Sequence, residues 1–193
     1  NKSFVEIGSD DGVNSNSANL YFNFGWHGLF IDGNKKSINR GKKFFSKYPH
    51  PWYYKPKFIC AKVTRENIND LISSSGYNGE IGLLSIDIDG NDYWIWDSIK
   101  VIDPQVVIIE THNEFGLNNI VVPYDANYSY PGKHPDYHGA SPIAMTKLAK
   151  KKEREKSFLW KAKATTQKRE LRLHICFLSL SLFSESLLKF YDY

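Results

Sequence analysis

Cysteine is nearly absent. Cys60 and Cys176 are the only two in 193 residues, and they lie far apart. A disulfide framework and a C-x-x-C metal cluster are both excluded, and a reducing compartment, the cytoplasm, is the expected setting. No secretory signal is legible. The chain opens at Asn1, directly on strand-like "SFVEIG", so an incomplete or trimmed N-terminus is expected. Long apolar runs are also missing. The most apolar part of the tail is broken by Arg172, His174 and Glu185, so no membrane span is expected. The first strand is not followed by G-x-G-x-x-G, the glycine pattern that lets a backbone approach a pyrophosphate.

What is present fits a globular chain. Hydrophobic residues make up 41% and aromatics 15%, enough for one domain with its own core. The net charge of +4 conceals an asymmetry. Residues 1–146 carry 13 Lys and Arg against 16 Asp and Glu, a net of −3; residues 147–193 carry 12 against 5, a net of +7. A basic tail suits nucleic acid or an acidic membrane surface, but a solvated charged face is the simpler reading, and no nucleic-acid partner is favoured.

Strand and helix signals alternate. Strands are expected at 3–8, 28–33, 57–63, 81–88 and 105–111. Helices are expected at 15–25, 35–49, 64–76 (with Thr64 as N-cap and Gly76 as stop) and 92–99. The strands are continuous apolar runs rather than alternating ones, which marks strands covered on both faces. The fold class is therefore α/β, a doubly wound and mostly parallel Rossmann-like sheet. A domain over 1–152 is expected, followed by an atypical basic extension over 153–193.

Ligands of such sheets sit beyond the carboxyl ends of the strands. Acidic residues stand at four of those ends: Glu6, Asp32, Asp87 and Glu110. The first loop, "GSDDG", runs from Gly8 through Ser9, Asp10 and Asp11 to Gly12. Two carboxylates there would repel a pyrophosphate and suit a ligand with a positive centre. S-adenosylmethionine has such centres, its sulfonium and ammonium groups, and Asp32 is placed to accept hydrogen bonds from its ribose.

"FVEIGSDDG", "GLFIDGN" and "LLSIDIDGND", in this order, resemble a class I S-adenosylmethionine-dependent methyltransferase. "SIDIDGND" is similar to the I-D-x-E-G-x-E stretch of FkbM-like members, with Asp89 and Asp92 where that family usually has Glu. "ENINDLI", "VVIIETHN", "VPYD" and "HGAS" resemble a bacterial subgroup of the same type, and the likeness covers residues 3–152. It implies cofactor contacts from Glu6, the loop Gly8–Gly12, Asp32, Ala61, Val63 and Asp87. It implies a reaction edge made of Asp87, Asp89, His112 and Asn113, where His112 replaces a residue that is often aromatic in relatives. The acceptor it implies is a small molecule or sugar, methylated on oxygen or nitrogen.

Two further classes stay open: a non-catalytic relative that keeps the fold and binds a partner, and a nucleotide-sugar or dinucleotide enzyme. Asp87 and Asp89 repel one another if both face the cleft, which calls for a proton or for a bridging Mg²⁺. D-x-D by itself is a weak metal signal, so a metal-independent site is the expectation. Asp92 is expected to cap the helix after the turn. The Tyr-rich stretch 122–141, with Asp125, is the expected acceptor-recognition segment. "HPWYYKP" (50–56) is expected to pack at the sheet edge. The tail offers one strand within 171–182 and no tight Gly turn, where this fold type expects an antiparallel pair. Nothing in the sequence specifies an oligomeric state.

Overall fold

A computed structural model describes residues 1–48, 54–132, 137–163 and 174–178, the side chains of 156–163 and 174–178 excepted. Six strands form one sheet: β1 (Ser3–Ile7), β2 (His27–Asp32), β3 (Lys57–Cys60), β4 (Gly79–Ile86), β5 (Ile102–Glu110) and β6 (His174–Leu178). Their order is β3-β2-β1-β4-β5-β6, and every described pairing is parallel. Five helices connect them: α1 (Ala18–Phe24), α2 (Lys35–Lys47), α3 (Ile68–Ser74), α4 (Asp92–Ser98) and α5 (Pro142–Lys163). None is long and apolar enough to cross a membrane.

Side chains alternate across the pleat, so each strand feeds two cores. Phe4, Phe30 and Leu83 pack with Tyr21 of α1 and Phe45 of α2. Val5, Ile7, Leu29, Ile31, Leu84 and Ile86 pack with Ile68 of α3, Trp96 of α4 and Met145 of α5. Both faces are covered, as the unbroken apolar strands require, and the sheet is doubly wound. Chain order reverses between β1 and β4. The strand ends on either side of that switch leave a crevice there.

Several boundaries move. β3 stops at Cys60, short of Val63. α3 starts at Ile68 rather than Thr64. Thr64 and Asn67 exchange hydrogen bonds, Asn67 N–H to Thr64 Oγ1 at 3.3 Å and Thr64 N–H to Asn67 Oδ1 at 2.8 Å, and these hold a turn ahead of the helix. The antiparallel closing pair is not observed among the described residues. β6 lies parallel to β5, with Ile108 opposite Cys176. A parallel strand is reached by a crossover, supplied here by α5, so the tight Gly turn missing from the sequence is not needed. α5 runs without interruption past Lys152, where the extension was expected to begin. Lys152 is buried, and its ammonium donates to the Ile99 carbonyl at 3.0 Å. Most of "HPWYYKP" and the remainder of 171–182 fall outside the described residues.

Candidate functional site

A cleft of about 660 Å³ opens at the carboxyl ends of β1 to β4. Gly8, Asp10, Asp32, Ala61, Val63, Asp87 and Asp89 line it, together with Tyr128 and Tyr130. Those first seven were singled out in the sequence. Glu6, Ser9, Asp11, Gly12, His112 and Asn113 were too, but they do not line it.

The β1 turn shows why the two sets part. Gly8 has φ +81°, and a Cβ there would lie 1.7 Å from the Asp87 carbonyl oxygen, so only glycine lets β1 and the β4 end approach this closely. The turn spends its amides internally. Gly8 and Ser9 N–H donate to the Ile31 carbonyl at 2.9 and 3.3 Å, Asp10 N–H to Asp32 Oδ2 at 2.9 Å, and Gly12 N–H to the Ser9 carbonyl at 2.9 Å. The residues just ahead of α1 are likewise tied down. The buried Glu6 carboxylate accepts from Asn16 N–H at 2.8 Å and from the Ser17 N–H and hydroxyl. Glu6 therefore ties down the two residues that lead into α1 and does not line the cleft. Burial raises its pKa, against those same hydrogen bonds.

The acidic loop is less negative than the sequence suggests. Arg40 reaches from α2 to Asp11 Oδ2 at 2.7 Å and to Asp10 Oδ2 at 3.1 Å. Burial works to raise the Asp11 pKa, but the hydrogen bonds from Arg40 and Val13 N–H and the guanidinium charge outweigh it and leave it lowered. Arg40 escaped the sequence reading because it lies some thirty positions away in the chain, and a single Arg in a Lys-rich helix is no signal. Asp32 accepts one backbone N–H on each oxygen, from Asp10 and from Asn34 at 2.7 Å. Asp32 lines the cleft.

At the β4 end the acids crowd together. Asp92 is buried and is the first residue of α4, where a cap bond to that helix is the expectation. It accepts instead from Ile88 and Gly90 N–H, each at 2.9 Å, and so fastens the turn that carries Asp89 at φ +56°. The expected helix cap is thus a turn clasp. Burial, opposed by these bonds and helped by Asp87, pushes its pKa up to about 6. Asp87 is half-buried, and burial followed by the Asp89 charge raises its pKa while an Asn16 side-chain bond lowers it. Glu110, at the end of β5, is 3% exposed, and neither of its carboxylate oxygens has a hydrogen-bond partner of normal geometry. Burial, then the charges of Asp92, Asp87 and Asp89, pushes its pKa up to about 9, weakly opposed by the Asp89 backbone amide. Oxygens of Asp87, Asp89 and Glu110 lie within 4.8 Å of one another. Glu110 was visible in the sequence only as a strand-end acid. Its place beside the D-x-D pair depends on β5 lying next to β4.

His112 packs against His138 and Phe115. It is buried, its ring centroid is 3.8 Å from that of His138, and its Nδ1 is 3.3 Å from Glu114 Oε2. Burial and His138 lower its pKa; Glu114 and Asp89 act the other way. Asn113 begins a short 3-10 turn and is exposed.

The segment after β5 folds back over the β4 turn. Trp94 Nε1 donates to the Val122 carbonyl at 2.8 Å and Asn91 Nδ2 to the Asp125 carbonyl at 2.9 Å, while Val121 bridges Ala140. Tyr128 lies over Gly90, where a Cβ would come within 2.6 Å of the ring. The expected acceptor segment thus brings Tyr128, Ser129 and Tyr130 to the cleft, but not Asp125, whose carboxylate accepts from Asn127 N–H at 2.8 Å. No family model, curated protein or solved structure matches this chain.

Proposed function

We propose that the cleft binds S-adenosylmethionine and that the protein transfers its methyl group to an oxygen or nitrogen of a small molecule or sugar. The observation that carries this reading is Asp32: a carboxylate at the end of β2, anchored by two backbone amides, with lone pairs left for a pair of ribose hydroxyls. The size of the cleft suits a ligand of nucleoside dimensions. The resemblance of "FVEIGSDDG", "GLFIDGN" and "SIDIDGND" to FkbM-like methyltransferases points the same way.

The cofactor, when bound, supplies an electrophilic methyl group. The chain's own residues do the rest. Asp32 holds the ribose. Ala61 and Val63, on the strand-to-loop exit of β3, offer a nonpolar edge to the adenine. Asp87 faces the methionine end and the reacting edge. Tyr128 and Tyr130 border the acceptor side and narrow its access to water.

The amide accounting disfavours a dinucleotide enzyme. A pyrophosphate needs free N–H groups at the β1 turn and an open helix N-terminus. Here the turn amides of Gly8, Ser9, Asp10 and Gly12 are engaged, and the Glu6 carboxylate takes the Asn16 and Ser17 amides just ahead of α1.

Calorimetry with S-adenosylhomocysteine tests the reading. One site per chain is expected, with Asp32→Ala weakening it by about 1–3 kcal/mol, the cost of charge-assisted hydrogen bonds. NAD should not bind. A wild-type protein that fails to bind, or an Asp32→Ala variant that binds equally well, would overturn it; binding without transfer to any acceptor would favour the non-catalytic reading.

A further inference from the structure

We propose that Asp87, Asp89 and Glu110 form a binding site for one hard divalent cation, Mg²⁺ or Mn²⁺, at the inner end of the cleft. The D-x-D pair alone left a metal-free site favoured. Glu110 reverses that balance.

The first observation is geometric. Three carboxylates from two adjacent strand ends bring oxygens within 4.8 Å of one another. An ion about 2.4 Å from each oxygen spans that separation, and side-chain shifts of a few tenths of an ångström bring the set to the shorter distance of Mg²⁺. An all-oxygen anionic set selects Mg²⁺, Mn²⁺ or Ca²⁺ over softer metals.

The second observation concerns Glu110 alone. It is 3% exposed, has an oxygen within the cluster, and has no hydrogen-bond partner of normal geometry on either oxygen, the Asp89 amide acting on it only weakly. Unpartnered buried carboxylates are costly, and a native core seldom retains one without a use for it. No ion pair among the described residues reaches Asp87, Asp89 or Glu110. Arg40, on the opposite side of the β1 turn, is committed to Asp10 and Asp11.

The surroundings fit an occupied site. The Tyr128 hydroxyl, which feels the charges of Asp89 and Glu110, lacks a partner, as do both ring nitrogens of the buried His138, stacked 6.2 Å from the Tyr128 ring. These are the kinds of groups that hydrogen-bond to an ion's remaining waters. Asp89 is exposed, but the Asp92 clasp holds its backbone at φ +56°, so the turn that carries its carboxylate is set before any ion arrives. On the methyltransferase reading above, on which this extension rests, the ion favours hydroxylated acceptors. A bound hydroxyl loses its proton more readily, whereas an ammonium is repelled.

Electron paramagnetic resonance of Mn²⁺ added to the chelator-treated full chain, without S-adenosylhomocysteine, tests the site independently of the cofactor. One Mn²⁺ per chain is expected, displaced by excess Mg²⁺. Glu110→Gln and Asp89→Asn should each weaken binding at least tenfold with unchanged circular dichroism. Asn tolerates the left-handed backbone at position 89, so the second variant decides the matter if the first does not fold. No stoichiometric Mn²⁺ binding by wild type, or undiminished binding in Asp89→Asn, would sink the proposal. Mn²⁺ binding alongside a failure to bind S-adenosylhomocysteine would sink the methyltransferase reading instead and leave the cation site standing.

Discussion

Arg40 shows how one residue changes the meaning of a loop. Two adjacent carboxylates read as a patch seeking a positive ligand, yet the guanidinium from α2 already serves both. The lowered pKa of Asp11 has a definite consequence. A carboxyl whose folded pKa lies below its unfolded value of 3.8 contributes stability above that value. The contribution is lost as pH falls through the lower, folded value. Arg40→Ala should therefore unfold at lower denaturant than wild type at pH 7, with the gap closing as pH drops below 3.8 and Asp11 becomes protonated in both states. A gap independent of pH would mean that Arg40 acts through packing alone. Glu6 makes the complementary point. It stands at the first strand end, where a cofactor contact is expected, but its alternation on β1 turns it toward the residues that lead into α1, and it accepts from the Asn16 and Ser17 amides.

At the scale of elements, the segment between β5 and α5 is irregular in sequence but tied down at defined points. Its clearest tie is the Trp94 indole N–H to the Val122 carbonyl. Trp94→Phe keeps much of the ring packing, including the surface over which Arg65 sits at 5.1 Å, and deletes only the donor. The expected cost is about 1 kcal/mol. Faster amide hydrogen exchange should follow at 120–130, with α1 and α2 unchanged. Uniform loss of protection across the chain would instead mean that the segment is part of the global folding unit. Acceptor binding should suffer with it, since the same segment carries Tyr128 and Tyr130 to the cleft.

For the molecule as a whole, the two cores on either side of the sheet are chemically distinct. One is built of aromatic rings, with Phe30 centroids 5.1 Å from Phe4 and 5.2 Å from Phe58, and the other is mostly aliphatic. Phe30 and Ile86 point to opposite faces from strands separated by β1, and they share no cluster. Phe30→Leu and Ile86→Val should each destabilise, the second by about 0.5–1.5 kcal/mol. Their effects should add to within about 0.5 kcal/mol in a double-mutant cycle read by urea unfolding. A larger coupling would show that the sheet transmits strain between its faces. The crevice lies where the strand order reverses, so damage to either core should reach it through the strand ends.

The sequence by itself determined the alternation of strands and helices, the parallel sheet, and the edge at which acids gather. All of these follow from local apolar runs, caps and Gly stops, which physics reads over a few neighbouring residues. It also marked Gly8, Asp32, Asp87 and Asp89 as residues of that edge. Tertiary structure alone decided the pairing of Arg40 with the acidic loop, the placing of Glu6 and His112 outside the cleft lining, and the parallel course of β6. It also decided the meeting of Glu110 with the D-x-D pair. Each of these depends on which strands lie side by side and which face a side chain takes, and groups more than twenty positions apart in the chain then share one local field. Burial and charge coupling arise only once that neighbourhood exists, so a lone strand-end glutamate in the sequence becomes an unpartnered acid in the fold.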